Sequence, residues 1–280
     1  CLIIPQWNCC FILAKKVLIA AVSSRPFVKA AVQAGYEVTA IDVFADADTQ
    51  RYAEHVYKVE YANSGFEPQH FEAVLDSLDL SQFEGFAYGS GFEAQPDFLE
   101  RIQKRLPLIG NSPAVIQKLK YAPDFFALLT QLGIPHPEVG FDVLHNSDGW
   151  LCKEAGGSGG THVLNAKAGV ALPQGHYYQR IKPGVPVSML FAADGQQIKV
   201  VGFNQQWIAP VTSKPYRYGG IVGHAELPVS IKQSMQEAAA KIVHAIGLRG
   251  MNSLDVVWNE NEFWVLEINP RLSSTLDLYQ

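Results

Sequence analysis

Apolar positions fall into short continuous runs in the first third of the chain and into alternating stretches in the last third. Val17-Leu18-Ile19-Ala20-Ala21-Val22 is unbroken, as a parallel strand buried on both faces requires. Ser23, Ser24, Arg25 and Pro26 turn into a helix, with Pro26 suited to its first turn and Phe27, Ala30, Ala31 and Ala34 at helical spacing. Gly35 closes that helix, and residues 36–42 supply the next strand. Such a strand–helix–strand unit crosses over right-handedly. A helix over 68–78, a strand near 85–88, a helix near 96–105 and a short strand at Leu108-Ile109 continue the alternation. The expected class for this stretch is α/β with a parallel sheet.

Ser112-Pro113 opens another helix, and Pro123 ends it. Pro123 and Asp124 open the next, with Phe125, Phe126, Leu129 and Leu132 inward and Gly133 as its stop. Pro135 and Pro137 mark a linker. From Trp150 onward, strands over 150–154, 162–165, 177–181, 187–192 and 197–205 are separated by glycine-rich turns. A helix over 232–246 keeps Met235, Ala238, Ala239, Ile242 and Ile246 on one side. Two further strands, 253–258 and 263–268, flank Asn259-Glu260-Asn261-Glu262. The second half therefore reads as α+β.

Composition narrows the function classes. Hydrophobic residues make up 48% of the 280 and charged residues 18%, enough to bury a large core. The net charge of −5 and the lack of a dense Lys/Arg block argue against a nucleic-acid backbone binder. No stretch approaches the length needed to span a bilayer, so a cytoplasmic protein is expected. Four cysteines are too few for a disulfide scaffold.

Residues 1–14 differ in texture. Cys1, Cys9 and Cys10 fall there, leaving Cys152 in the body. Cys9-Cys10 lacks zinc-ligand spacing. Pro5 interrupts the apolar stretch, and Lys15 and Lys16 follow it rather than precede it, unlike a signal peptide. The segment reads as an extension foreign to the fold, or as an extra strand or partner-binding arm. At the other end, residues 275–280 read like the opening of a helix.

The strongest chemical signal is Ser253-Leu254-Asp255-Val256-Val257-Trp258 followed by Phe263-Trp264-Val265-Leu266-Glu267-Ile268-Asn269-Pro270-Arg271. Side chains alternate along a strand, so Glu267 and Asn269 share a face, with Arg271 just beyond. In a hairpin, the even separation of Asp255 and Glu267 puts both on one face unless a bulge intervenes. A three-residue loop from Glu260 to Glu262 would set Asp255 opposite Glu267 and Val257 opposite Val265, with Asn261 left-handed at the tip. Two carboxylates and an amide oxygen then converge, which costs free energy unless a cation compensates. Mg2+ (or Mn2+) suits such oxygen donors and retains phosphate and water in its shell. Glu267 would bridge, Asp255 and Asn269 would flank, and Arg271 would face a phosphate or acyl phosphate. The competing reading is a hairpin with chance polar residues on its wet face.

A second signal is Lys153 followed by Gly156, Gly157, Ser158, Gly159 and Gly160. Glycines let backbone N–H groups cradle phosphates, and the lysine adds a point charge. A flexible hairpin tip is the alternative. A third is Gln179-Arg180-Ile181 running into Lys182-Pro183-Gly184, an exposed segment whose backbone an adenine can pair with.

Taken in order, these residues resemble the ATP-grasp superfamily of carboxylate–amine ligases. Glu267-Ile268-Asn269-Pro270-Arg271 is similar to its metal-binding E-x-N-P-R motif. Within it the chain looks like tyramine–glutamate ligases and carbamoyl-phosphate-synthase-like proteins. Beyond the atypical extension over 1–14, the resemblance implies a Rossmann-like pre-ATP-grasp domain over 15–110 and linker helices over 111–140. A small lobe with the glycine-rich loop would cover 141–184, and a large lobe with the metal site 185–280. It implies that Lys153 contacts the α and β phosphates of ATP and that residues 156–160 form a lid. Gln179, Arg180 and Ile181 would form the adenine hinge.

The implied reaction activates a carboxylate as an acyl phosphate and joins it to an amine, with amino-acid-like substrates and a place in cofactor biosynthesis. Lys153 and Arg271 would be the catalytic cations. Lys214 and Arg217, in a glycine-flanked loop, would meet a carboxylate substrate alongside Arg271. A homo-oligomer is left open.

The sequence also departs from the pattern. Relatives carry Asp-Lys where Tyr121-Ala122 stands, leaving Lys118 or Lys120 to substitute. An acidic ribose ligand gives way to Val185-Pro186-Val187-Ser188, and an arginine to Ser253. Such losses keep open a nucleotide-binding regulatory module without turnover. A carboxylase or kinase on the same fold is a further alternative. Nicotinamide binding by the first half is disfavoured, because no GxGxxG follows the first strand. Among the eight histidines, His162 beside the glycine loop stands out.

Overall fold

The computed structural model describes residues 15–62, 65–260 and 262–279. The extension over 1–14 and the loop residue Asn261 lie outside them. Helix and strand alternate through the first part, in the order β1 (Lys16–Ala21), α1 (Arg25–Gln33), β2 (Glu37–Asp42), α2 (Ala47–Tyr52) and β3 (His55–Lys58). Then come a two-stranded ribbon, β4 (Tyr61–Ala62) and β5 (Gly65–Phe66), α3 (Pro68–Asp76), β6 (Phe83–Tyr88), α4 (Pro96–Gln103) and β7 (Leu108–Ile109).

Strands β3-β2-β1-β6-β7 form one sheet, and every neighbouring pair in it is parallel. The apolar run in β1 explains its central place. Val17 and Ile19 pack into the core on the α1 side, whereas Leu18 and Ala20 join the phenylalanine-rich core on the other face. Helix α2 and strand β3 escaped the sequence pattern. Ala-Asp-Thr-Gln-Arg-Tyr buries only Thr49, so it shows no apolar stripe.

Helices α5 (Pro113–Lys120) and α6 (Ala122–Gln131) link this layer to two antiparallel sheets. Pro123 sits in the first turn of α6, where its missing N–H breaks no helical bond. The smaller sheet runs β10-β9-β11-β8, from β8 (Val139–Gly140), β9 (Trp150–Glu154), β10 (Val163–Asn165) and β11 (His176–Arg180). The larger runs β14-β13-β12-β15-β16, from β12 (Val185–Asp194), β13 (Ile198–Ile208), β14 (Tyr218–Val222), β15 (Arg249–Asn259) and β16 (Glu262–Asn269). Helix α7 (Val229–Ile246) buries Met235, Ala238, Ala239 and Ile242 in the same core as Met189, Leu254 and Val265. The opposite face of that sheet is thereby left for a cleft. A 3-10 turn, Ser274–Tyr279, follows.

The β15–β16 register departs from the expected loop. Asn259 pairs with Glu262, so only two residues connect the strands, and Glu260 takes φ 44°. Val257 therefore faces Trp264, not Val265. A bulge between Asp255 and Val256 then shifts the register by one and restores Asp255 opposite Glu267. The shorter loop and the bulge cancel, and both carboxylates keep a common face.

Asn111 ties the parallel layer to the larger sheet. Its amide donates to Asn252 Oδ1 at 2.8 Å and to the Pro270 carbonyl at 3.0 Å, and it accepts from the Arg249 N–H at 2.8 Å. Tyr88 lies beside it, donating its hydroxyl proton to the Asn111 carbonyl at 2.6 Å. The chain segment around Arg271 is thus held by residues of the first layer.

Candidate active site

A cleft of about 440 Å³ lies between the layers, with Lys153, Asp255, Glu267, Asn269 and Arg271 in its wall. Asn269 links the two acids. Its Nδ2 donates to Asp255 Oδ2 at 3.1 Å and lies 3.4 Å from Glu267 Oε1. Ser253 donates to Asp255 Oδ1 at 2.9 Å. Lys120 closes the other side, with Nζ 3.2 Å from Asn269 Oδ1 and 3.7 Å from Glu267 Oε2.

The electrostatics follow from this packing. Burial, with the Glu267 charge beside it, pushes Asp255 up to about 7. Burial also works to raise Glu267, but Lys120, Lys153 and His162 outweigh it and hold that carboxyl well below the usual range. One acid stays ionised and the other holds its proton more tightly, as two carboxylates sharing one site behave.

Among the described residues there is no cluster of three or more His, Cys, Asp or Glu side chains suited to a metal. The donor set is instead two carboxylates and one amide. That set fits an ion such as Mg2+, which keeps several waters and ligand phosphates in its shell.

Lys153 is buried in β9. Its ammonium lies 5.6 Å from the centre of the Tyr177 ring and donates to Gln179 Oε1 at 3.3 Å. Desolvation opposes its charge, yet Tyr177, Glu267 and Asp255 more than offset this and raise its pKa. Gln179 Nε2 is buried with no hydrogen-bond partner, beside the Lys153 ammonium that its Oε1 accepts from. Buried donors are rarely left without a protein, water or ligand partner.

Beyond Lys153 comes the glycine-rich loop. At Gly157 a Cβ would collide with the His162 ring, and at Gly160 with the Tyr216 carbonyl oxygen. Gly156, Gly159 and Gly160 have φ of 76°, 65° and 66°, values that disfavour side chains.

Residues 124–275, more than half of the chain, match the ATP-grasp domain family. The chain belongs to that family. It is also 23% identical over 242 residues to the arginine-specific large chain of carbamoyl phosphate synthase from Geobacillus stearothermophilus, covering 76% of this chain and 22% of that protein. The chain therefore spans about a fifth of the length of the curated relatives it matches.

Among solved structures, the Campylobacter jejuni biotin carboxylase in complex with β,γ-ATP superposes with a TM-score of 0.72 at 16% identity, covering 95% of this chain and 67% of that one. The L-amino acid ligase of Bacillus licheniformis superposes with a TM-score of 0.68 at 15% identity, covering 93% and 68%. These likenesses are in the ATP-grasp fold.

On this ATP-grasp scaffold the residues singled out from the sequence separate into two groups. Lys153, Asp255, Glu267, Asn269 and Arg271 line one cleft, together with Ser158, Gly159 and Gly160 of the loop. Of the two candidate substitute lysines, Lys120 reaches the acids and Lys118 is exposed on α5.

Arg180 turns outward, donating to the Asp148 carbonyl at 2.6 Å with its guanidinium 5.2 Å from the Trp150 ring centre. Ile181 is exposed. Lys214 and Arg217 are exposed, and Arg217 Nε donates to the Ala209 carbonyl at 2.9 Å. Their neighbours Tyr216 and Tyr218 line the cleft instead.

Sequence reasoning missed Glu93. It is buried after β6 and accepts from Arg271 Nε at 2.6 Å. Nothing local marks it, because its partner lies 178 positions away. Asp42, by contrast, is absorbed structurally. It accepts from the Ser24 N–H and hydroxyl and from the Phe44 and Ala45 N–H groups, which leaves it no capacity for a ribose.

Proposed function

We propose that this chain is an ATP- and Mg2+-dependent ligase that joins a carboxylate to an amine, with amino-acid-like substrates and a place in cofactor biosynthesis. The observation that carries this reading is the convergence of Asp255, Glu267 and Asn269 with Lys120, Lys153 and Arg271 around one cleft. Lys153 would hold the nucleotide phosphates, and the orphaned Gln179 amide would donate to the base. Asp255, Glu267 and Asn269 would hold Mg2+ (or Mn2+), which supplies neutralisation of charge on the transferred phosphoryl oxygens.

Arg271 would orient the substrate carboxylate, whose oxygen attacks the terminal phosphorus as the bond to ADP breaks. The amine then attacks the acyl carbon, phosphate leaves, and the amine gives up a proton. Loop residues 156–160 would exclude water from the acyl phosphate. Phe27, Trp207 and Tyr218 in the cleft wall suit a substrate with an apolar body better than bicarbonate.

The test is a thermal-shift screen of ATP–Mg2+ with paired acids and amines, then mass spectrometry of products. ADP formed only when both substrates are present supports the ligase. Turnover with bicarbonate would transfer the chain to the carboxylases. ATP binding with no ADP release across the panel would favour the regulatory module. One observation supports that second reading: the stretch Val185-Pro186-Val187-Ser188, where relatives hold a ribose acid, carries no carboxylate, and its one hydroxyl, on Ser188, is fully buried and takes a bond from Asn204 at 3.3 Å.

A further inference from the structure

Two loops from different sheets meet over the cleft. The glycine-rich loop runs from β9 into β10, and the hairpin connecting β13 to β14 reaches across to it from the larger sheet. The Tyr218 N–H donates to the Gly159 carbonyl at 2.9 Å. The Tyr216 hydroxyl donates to Asn165 Oδ1 at 2.9 Å, at the far end of β10. Gly160 lies against the Tyr216 carbonyl so closely that no side chain fits there. The hairpin is itself braced. Arg217 Nε bonds the Ala209 carbonyl, Val211 and Lys214 bridge, and the Trp207 ring packs on Gly219 and Gly220.

We propose that this hairpin is the latch of the glycine-rich lid, with Tyr216 and Asn165 as positioning residues that hold the loop shut over the nucleotide phosphates. The latch rests on the ligase reading only in that a nucleotide lies beneath the lid. Two of these contacts hold the loop itself, at Gly159 and Gly160, and the third anchors the hairpin on β10, so lifting the hairpin would break all three. Nucleotide escape is thus tied to separation of hairpin and lid. Because Tyr216 and Tyr218 also line the cleft, whatever binds beside them biases the same closure, and the coupling is reciprocal.

The test is stopped-flow dissociation of a fluorescent mant-ATP–Mg2+ complex from the full chain. Tyr216→Phe and Asn165→Ala should each speed release about fivefold, the size expected for one lost hydrogen bond. The double variant should release no faster than either single one, because both remove the same bond. Thermal midpoints should stay unchanged, which separates a latch from general loosening. Unchanged release in both single variants, or full additivity in the double, overturns the latch.

Should the wild-type chain bind no mant-ATP, the ligase reading fails while the latch stays open to test. Hydrogen exchange at amides 156–162 of the ligand-free chain then decides it. Faster exchange in Tyr216→Phe supports the latch, and equal exchange overturns it.

Discussion

Arg271 Nε and Glu93 Oε1 lie 2.6 Å apart, and both side chains are nearly inaccessible to water. Burial alone would raise the Glu93 pKa, but Arg271 and then Lys120 hold it below the ordinary range. A depressed acid stabilises the fold above its unfolded pKa, and that contribution fades as pH falls through the lower folded value. Glu93→Ala strands the guanidinium and should cost about 3 kcal/mol in urea unfolding near neutral pH. Glu93→Gln keeps an acceptor for Arg271 and should cost less, with a flatter acid limb. Equal stability of the wild type and Glu93→Ala would remove the pair from the architecture.

Lys120 and Lys118 differ by half a helical turn and by their surroundings. The Lys120 side chain is 9% exposed and lies beside Glu267 and Asn269, whereas Lys118 is exposed. Lys120→Ala should therefore weaken ATP–Mg2+ binding about tenfold, and Lys118→Ala should leave it within about twofold, as expected of a buried and a surface charge. Isothermal titration reads both. Similar losses in the two variants would take Lys120 out of the nucleotide site.

Much of this site could be read from the chain, for physical reasons specific to each residue. The continuous apolar run at 17–22 and the alternation at 263–268 placed β1 and β16, because burial on two faces or on one leaves different patterns. The face shared by Asp255 and Glu267 was legible from even spacing, although by a route that two compensating irregularities only happen to reproduce. Choosing between Lys118 and Lys120 needed the packing of α5. Glu93 needed the tertiary fold, since a carboxylate in a loop advertises no distant guanidinium. Lys214 and Arg217 are the opposite case. Charge suggested a role, but the hairpin turns those side chains out and its tyrosines in.

Two lysines, one in the smaller sheet and one just after it, test the phosphate assignment. Lys153 is buried against Tyr177 and Gln179, while the Lys182 ammonium sits 4.8 Å from the centre of the Trp264 ring. Lys153→Ala should weaken ATP binding by more than about tenfold, and Lys182→Ala by less than about twofold, as a buried charge and a partly exposed cation–π contact differ. Equal effects in a titration would contradict the assignment of Lys153 to the phosphates.

Glu267 is the better-ionised member of the acid pair, so its removal should be felt in turnover rather than in folding. Glu267→Gln keeps the side-chain shape and an acceptor for Asn269. It should abolish Mg2+-dependent ADP formation while leaving the circular dichroism spectrum intact. Undiminished turnover would exclude Glu267 from the metal role.

Asp255 supplies the pH signature of the same site. Its folded pKa, raised to about 7, lies above the unfolded carboxylate value. Between those values the folded chain binds more protons, so metal-free stability falls as pH rises through that window. A metal must displace this proton, so Mg2+ affinity should drop roughly tenfold for each pH unit below about 7 and level off above it. Asp255→Asn removes the titrating group and should flatten both dependences, leaving weak, pH-independent binding. The measurement is the Mg2+ concentration at half-maximal thermal shift, taken at about pH 6 and about pH 8. Equal midpoints in the wild type would mean that no proton leaves Asp255 on binding, and that the ion is held elsewhere.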